Sequence, residues 1–173
     1  MKINNKGLSY IELILVISIA TLLTGLVSIS MGTVNRNNVQ KAASSLESGF
    51  KTAQVSSMAK GSERGALYIY NRGGKCYYSI GSIGNEETKI SSTACKVNIN
   101  ISGDNKEVSG GFVARFVFNP TTGGCLGADW SPDSGNNWNI GSSFNVGDIV
   151  VSNRSGKHVD MKLLKMTGKI EMN

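Results

Sequence analysis

Lys6-Gly7-Leu8-Ser9-Tyr10-Ile11-Glu12, followed by an uncharged run from Leu13 to Asn35, is the most informative stretch of this chain. About 20 apolar residues cross a bilayer, and the run from Leu8 has that length. Glu12 breaks its uniformity. A carboxylate costs roughly 2.5–3.5 kcal/mol at the centre of a membrane helix, less near an end, and such a charge marks a functional position. Ser9-x-x-Glu12 also has the spacing of a capping box, with Ser9 at the N-cap and Glu12 at the third helical residue, where a negative charge suits the helix dipole. Further along, Ser18, Thr21, Gly25, Ser28 and Gly32 recur at alternating spacings of three and four and share one helical face. Small residues on one stripe let apolar helices approach closely.

The order of features excludes an ordinary secretory signal, whose small-residue cleavage site follows its apolar core. Here Gly7 precedes the apolar run, behind a basic start with Lys2 and Lys6. This arrangement resembles the class III leader of type IV prepilins and pseudopilins. The resemblance implies cleavage after Gly7 by a prepilin peptidase and N-methylation of Leu8. It also implies a Glu12 that attracts the free amine of a neighbouring subunit's Leu8 during filament assembly. Glu12 is the fifth residue counted from Leu8, which is the family's register. Two departures stand out: Leu8 replaces the usual phenylalanine, and the apolar run has no proline.

Working outward, Val39, Ala43, Leu46, Phe50, Ala53 and Ser57 repeat at spacings of four and three, the pattern of an amphipathic helix with one face on a core. Lys60 and Gly61 supply a stop. Beyond Gly61 the period falls to two. Residues 66–70, 76–80, 96–101, 112–118, 148–152, 157–166 and 169–172 read as strands, separated by Gly, Asn, Ser and Pro turns. The expected fold class is α+β: a long N-terminal helix, transmembrane in its first half, carrying an antiparallel β head of two small sheets, the pilin-like lollipop. The expected divisions are a cleaved leader 1–7, a transmembrane and filament-core helix 8–34, an amphipathic helix 35–60 and a β-rich head 61–173. The head's strand order, the Asn119-Pro120-Thr121-Thr122-Gly123-Gly124 turn and the closing Thr167-Gly168-Lys169-Ile170 hairpin resemble the GspH/FimT group of minor pilins and pseudopilins.

The formal net charge of +6 loses Lys2 and Lys6 with the leader, and what remains does not by itself imply nucleic acid. Cys76, Cys95 and Cys125 form no C-x-x-C pair. With His158 they would make a zinc site of no characteristic spacing. An exported domain permits one disulfide among these three cysteines, and the spacing does not choose the pair. No enzyme, cofactor or metal site is expected. His158 and Asp160 share a strand face without a strained nucleophile, and Glu86-Glu87 reads as a solvated turn. Asp129, Ser131, Asp133 and Asn137 form an oxygen-rich stretch that fails the EF-hand pattern. Trp130 and Trp138 beside them suit either a contact surface or the core. Lys162, Lys165 and Lys169 are candidate DNA contacts, because some minor pilins of this group bind DNA during uptake through arginine-rich C-terminal motifs. Here the turn lacks those arginines, and lysine offers phosphate only a point charge.

The expected function is a structural subunit of a type IV pilus-like or type II secretion filament. The resemblance implies as partners other pilin or pseudopilin subunits, the prepilin peptidase and the assembly platform. It places the chain in the cytoplasmic membrane with its head outside the cytoplasm, before incorporation into an extracellular or periplasm-spanning filament. The rival expectations are a DNA-binding uptake subunit and a plain membrane-anchored surface domain.

Overall fold

The computed structural model describes residues 9–91, 95–108, 112–131 and 146–173; the side chains at 26–33, 35, 146 and 147 also lie outside the description. The helical assignment α1 covers Tyr10–Lys60, but the chain divides between Asn35 and Arg36 into two compact units. With the intervening side chains undescribed, α1 comes as two short described stretches, 10–25 and 36–60. Among the described residues no helix is long and apolar enough to cross a membrane. The expected single long N-terminal helix with a transmembrane first half is corrected accordingly. The physical reason lies in the pattern itself: the sequence is apolar all round before Asn35 and one-sided after Arg36, so the two stretches are different objects.

The 10–25 stretch stands with Tyr10, Ile11, Leu22 and its other large apolar side chains exposed. The 36–60 stretch belongs to the unit Arg36–Asn173. Its stripe of Val39, Ala43, Leu46, Phe50, Ala53 and Ser57 is buried, as the spacing predicts. The stretch ends where the Gly61 amide donates to the Ser57 carbonyl at 2.9 Å, the simple C-terminal cap.

Ten strands follow: β1 (Leu67–Arg72), β2 (Lys75–Ile80), β3 (Thr88–Lys89), β4 (Cys95–Ile101), β5 (Asp104–Glu107), β6 (Val113–Phe118), β7 (Cys125–Ser131), β8 (Val146–Asn153), β9 (His158–Leu164) and β10 (Lys169–Met172). They form two five-stranded sheets, β3-β2-β1-β6-β7 and β10-β9-β8-β4-β5, with antiparallel pairing throughout. Alternation fixes which side chains point inward. Leu67, Ile69, Ala114, Phe116 and Phe118 of the first sheet share one core with Val97, Ile99, Ile149, Val151, Met161, Leu163 and Ile170 of the second and with the helix stripe. Phe50 meets Phe116 edge-on at 4.9 Å and Phe118 at 6.2 Å. Each such side chain contributes about 1.5–3 kcal/mol by leaving water. The central strand β6 is buried on both faces, because Val113 and Val117 join Ala66, Tyr68 and Tyr70 in a second cluster on the far side of its sheet.

Three strands escaped the period-two pattern. β3 has two residues. β5 is Asp-Asn-Lys-Glu, wholly polar, and its place is set by the tight turn at Ser102 and Gly103, whose φ values of 55° and 88° fit a hairpin turn with two left-handed residues. β7 contains Asp129, Trp130 and Ser131, which the sequence suggested as loop; in the structure they pair with Arg115, Ala114 and Val113 of β6.

Candidate functional site

The N-terminal site begins at Ser9, since Gly7 and Leu8 lie outside the described residues. The Ser9 amide donates to Glu12 Oε2 at 2.8 Å, and the Leu13 amide donates to the Ser9 carbonyl at 3.1 Å. Glu12 thus folds back on the helix start as one half of a capping box, satisfying a donor that the helix itself cannot. Its side chain sits on an exposed surface in the first turn, beside the positive end of the helix.

The stripe residues that are described share one chemistry. The Ser18 hydroxyl donates to the Ile14 carbonyl at 2.8 Å, and the Thr21 hydroxyl to the carbonyls of Ile17 and Ser18. Thr24, off the stripe, turns in the same way on Ala20. Each hydroxyl finds its acceptor inside the helix, so the face can enter apolar surroundings without stranding a donor. At Gly25 an added Cβ would meet nothing within 4 Å. Nothing in its own chain therefore requires that glycine. Ser28 and Gly32 fall in the segment whose side chains lie outside the description.

In the 36–173 unit, the 119–124 turn and the 167–170 turn come together on one helix side chain. Gln54 Nε2 donates to the Gly123 carbonyl at 2.9 Å and to the Thr167 carbonyl at 2.8 Å. The β6–β7 turn is itself built by Asn119 Oδ1, which accepts from the Thr121 and Thr122 amides. A Cβ at Gly168, where φ is +65°, would collide with the Gly123 carbonyl. Glycine is needed there for both backbone conformation and close approach. Gln54 was not singled out by the sequence; its place between Ala53 and Val55 on the helix gave no signal of a long-range role.

No protein-family model, curated protein or solved structure matches the chain. The functional argument therefore rests on the residues themselves.

The lysines proposed for DNA do not form an uninterrupted basic track. Lys162 of β9 lies opposite Asp148 of β8 and Glu171 of β10. Lys169 pairs with Glu171 at 3.6 Å, and Lys165 sits in the turn that follows β9, where its carbonyl accepts from the Cys125 amide at 2.8 Å. The oxygen-rich stretch is split: Asp129 and Ser131 are strand residues, Ser131 is buried, and Asp133, Asn137 and Trp138 lie outside the described residues. Asp129 Oδ1 accepts from the Trp130 amide at 2.7 Å. Among the described residues no cluster of three or more acids, cysteines and histidines could hold a metal. Trp130 packs against the core and meets Phe112 edge-on at 6.3 Å.

His158 is exposed, with Nδ1 3.4 Å from the Gly156 carbonyl. Glu87 accepts the Tyr70 hydroxyl at 2.7 Å and pairs with Arg72, so it fastens the 81–87 segment to β1. Burial, with Glu87 beside it, pushes the Tyr70 hydroxyl up to about 12. Arg115, buried in β6, pairs with Glu63 and lies 5.7 Å from the Tyr68 ring centroid.

Proposed function

We propose that the chain is a minor pilin or pseudopilin: a structural subunit processed between Gly7 and Leu8 and built into a filament through its N-terminal segment. The observation that carries this reading is the register from Gly7 to Glu12, with Glu12 at the fifth position of the processed chain. The capping contact from Ser9 supports it, because it holds the carboxylate at the helix start, close in sequence to the amine that cleavage would create. The internally satisfied hydroxyls of Ser18 and Thr21, and the open space at Gly25, support a face that packs against other copies. Residence in the cytoplasmic membrane with the 36–173 unit outside the cytoplasm, and dealings with a prepilin peptidase and an assembly platform, belong to the same proposal. In this reading Glu12 acts by charge and not by catalysis: an ion pair shielded from water is strong only while both partners are present.

The test is the chemistry of the mature N-terminus. The full chain is produced with a prepilin peptidase and its first residues are read by mass spectrometry. The expected product starts at Leu8 and carries one added methyl group on its amine. A chain that keeps the residues before Leu8 would sink the reading and favour a plain anchored domain. Glu12→Ala is expected to be processed normally yet missing from sheared filaments; normal incorporation would remove the charge-matching role. The DNA-uptake reading gains no favouring observation, since Lys162 and Lys169 stand beside carboxylates.

A further inference from the structure

We propose that Cys76 and Cys95 are a disulfide pair that clasps the two sheets together, with Cys125 left as the thiol. Sequence spacing allows three pairings, and geometry separates them. Cys76 lies on β2 of the first sheet and Cys95 on β4 of the second. Both side chains are buried in the shared core. No hydrogen-bonded ladder joins β2 to β4, so side chains make the connection. Cys76 Sγ donates to the carbonyl oxygen of Cys95 at 3.2 Å, which brings this sulfur against the residue whose own sulfur it would join. The close approach of the two residues pushes Cys76 up, with burial adding to the rise, and holds Cys95 down from the ordinary thiol range. Cys125 is occupied elsewhere. Its sulfur turns to the Gly127 carbonyl of its own strand at 3.5 Å, and burial pushes its thiol up to about 12.

The chemistry needs an oxidant, which a small-molecule or protein disulfide supplies. Cys95, the more acidic of the pair, attacks one sulfur of that disulfide as thiolate and releases the first leaving thiol. Cys76 then gives up its proton and attacks the Cys95 sulfur, releasing the second. The two cysteines lose two electrons and two protons, and the donor disulfide is reduced to two thiols. Because both sulfurs are buried in the folded unit, the exchange takes place while the sheets close or during a local opening. The new bond would span positions 19 residues apart, a separation at which a cross-link narrows the unfolded ensemble. This inference does not depend on the filament reading.

The test equilibrates the full chain in detergent with oxidised glutathione, then unfolds it in denaturant with an alkylating agent and no reductant. The expected intact mass shows one alkylated cysteine, and peptide mapping finds the Cys76 and Cys95 peptides joined. Cys125→Ser keeps that linkage and Cys95→Ser abolishes it. Should Cys95→Ser fail to fold, the wild-type and Cys125→Ser maps still decide the matter. Three alkylated cysteines in the wild type, or a linked peptide containing Cys125, would overturn the assignment.

Discussion

The 10–25 and 36–60 stretches carry the same helical assignment and opposite surroundings. In the first, Ile11, Leu15, Ile19 and Leu22 are exposed and the described hydroxyls turn inward on their own backbone. In the second, a stripe from Val39 to Ser57 is buried against two sheets and Gln54 reaches two distant turns. The second stretch finds its partners in its own chain. The first presents large apolar side chains that are exposed, Ile11 and Leu22 among them.

The sharpest way to break the contrast is to truncate one side chain in each stretch. Phe50→Ala removes a ring packed on Phe116 and Phe118 and should destabilise the 36–173 unit by about 3–5 kcal/mol, the range for a buried aromatic truncation. Leu22→Ala, at a side chain 70% exposed, should change it by less than about 0.5 kcal/mol. Urea unfolding of the full chain in detergent, followed through its tryptophan fluorescence, measures both. Comparable losses would remove the contrast between the two stretches.

A smaller effect tests what fastens the second stretch. Gln54→Ala removes the donor from the part-buried Gly123 carbonyl and from the exposed Thr167 carbonyl and should cost about 1 kcal/mol or somewhat more in the same assay, chiefly through Gly123. Gly168→Ala should cost at least as much, through its left-handed backbone and the collision with Gly123. If Gln54→Ala is silent while Gly168→Ala is not, the turns are held by their own backbone and the helix merely lies beside them.

Much of this was legible in the sequence where burial is periodic. The stripe from Val39 to Ser57 and the apolar strands around Ile69, Val97, Phe116 and Val151 announced themselves through spacing. The polar edge strand at Asp104 could not, because an edge that faces water on both sides has no alternation to read. β7 was hidden by Asp129 and Ser131, whose composition suggests a loop until Arg115 and Val113 of β6 are known to lie opposite. The single long helix was an over-extension: an absence of proline says nothing about where an all-apolar surface hands over to an amphipathic one. At the N-terminus, the Ser9–Glu12 capping contact was readable because it is local. The Cys76–Cys95 proximity was not, because it depends on which strands of two different sheets come together.

A pH experiment probes the β unit by a different route. The folded-state pKa of Tyr70, about 12, lies above the ordinary tyrosine value of 10. A raised folded pKa contributes stability that is fully present below the unfolded value. That contribution fades as pH rises from about 10 and is gone above about 12. Tyr70→Phe should therefore flatten the decline in stability across that window. At neutral pH it should lose only the hydrogen bond to Glu87, about 1 kcal/mol. An alkaline slope equal to that of the wild type would show that the Tyr70 hydroxyl is solvated.

The smallest expected effect carries the most information about assembly. Gly25→Ala adds a methyl group where nothing of the same chain lies within 4 Å. Within the chain it should be neutral or mildly favourable, because alanine is about 1 kcal/mol better than glycine in a helix interior. The helical signal in circular dichroism should not fall. The same methyl group sits on the stripe of small residues, however, where close approach of a second helix leaves no room for it. A variant that folds as well as the wild type but incorporates poorly into the proposed filament would place a helix contact on that face. If incorporation is also unchanged, the stripe reflects composition alone and the exposed stretch must find its partners through Leu, Ile and Glu12.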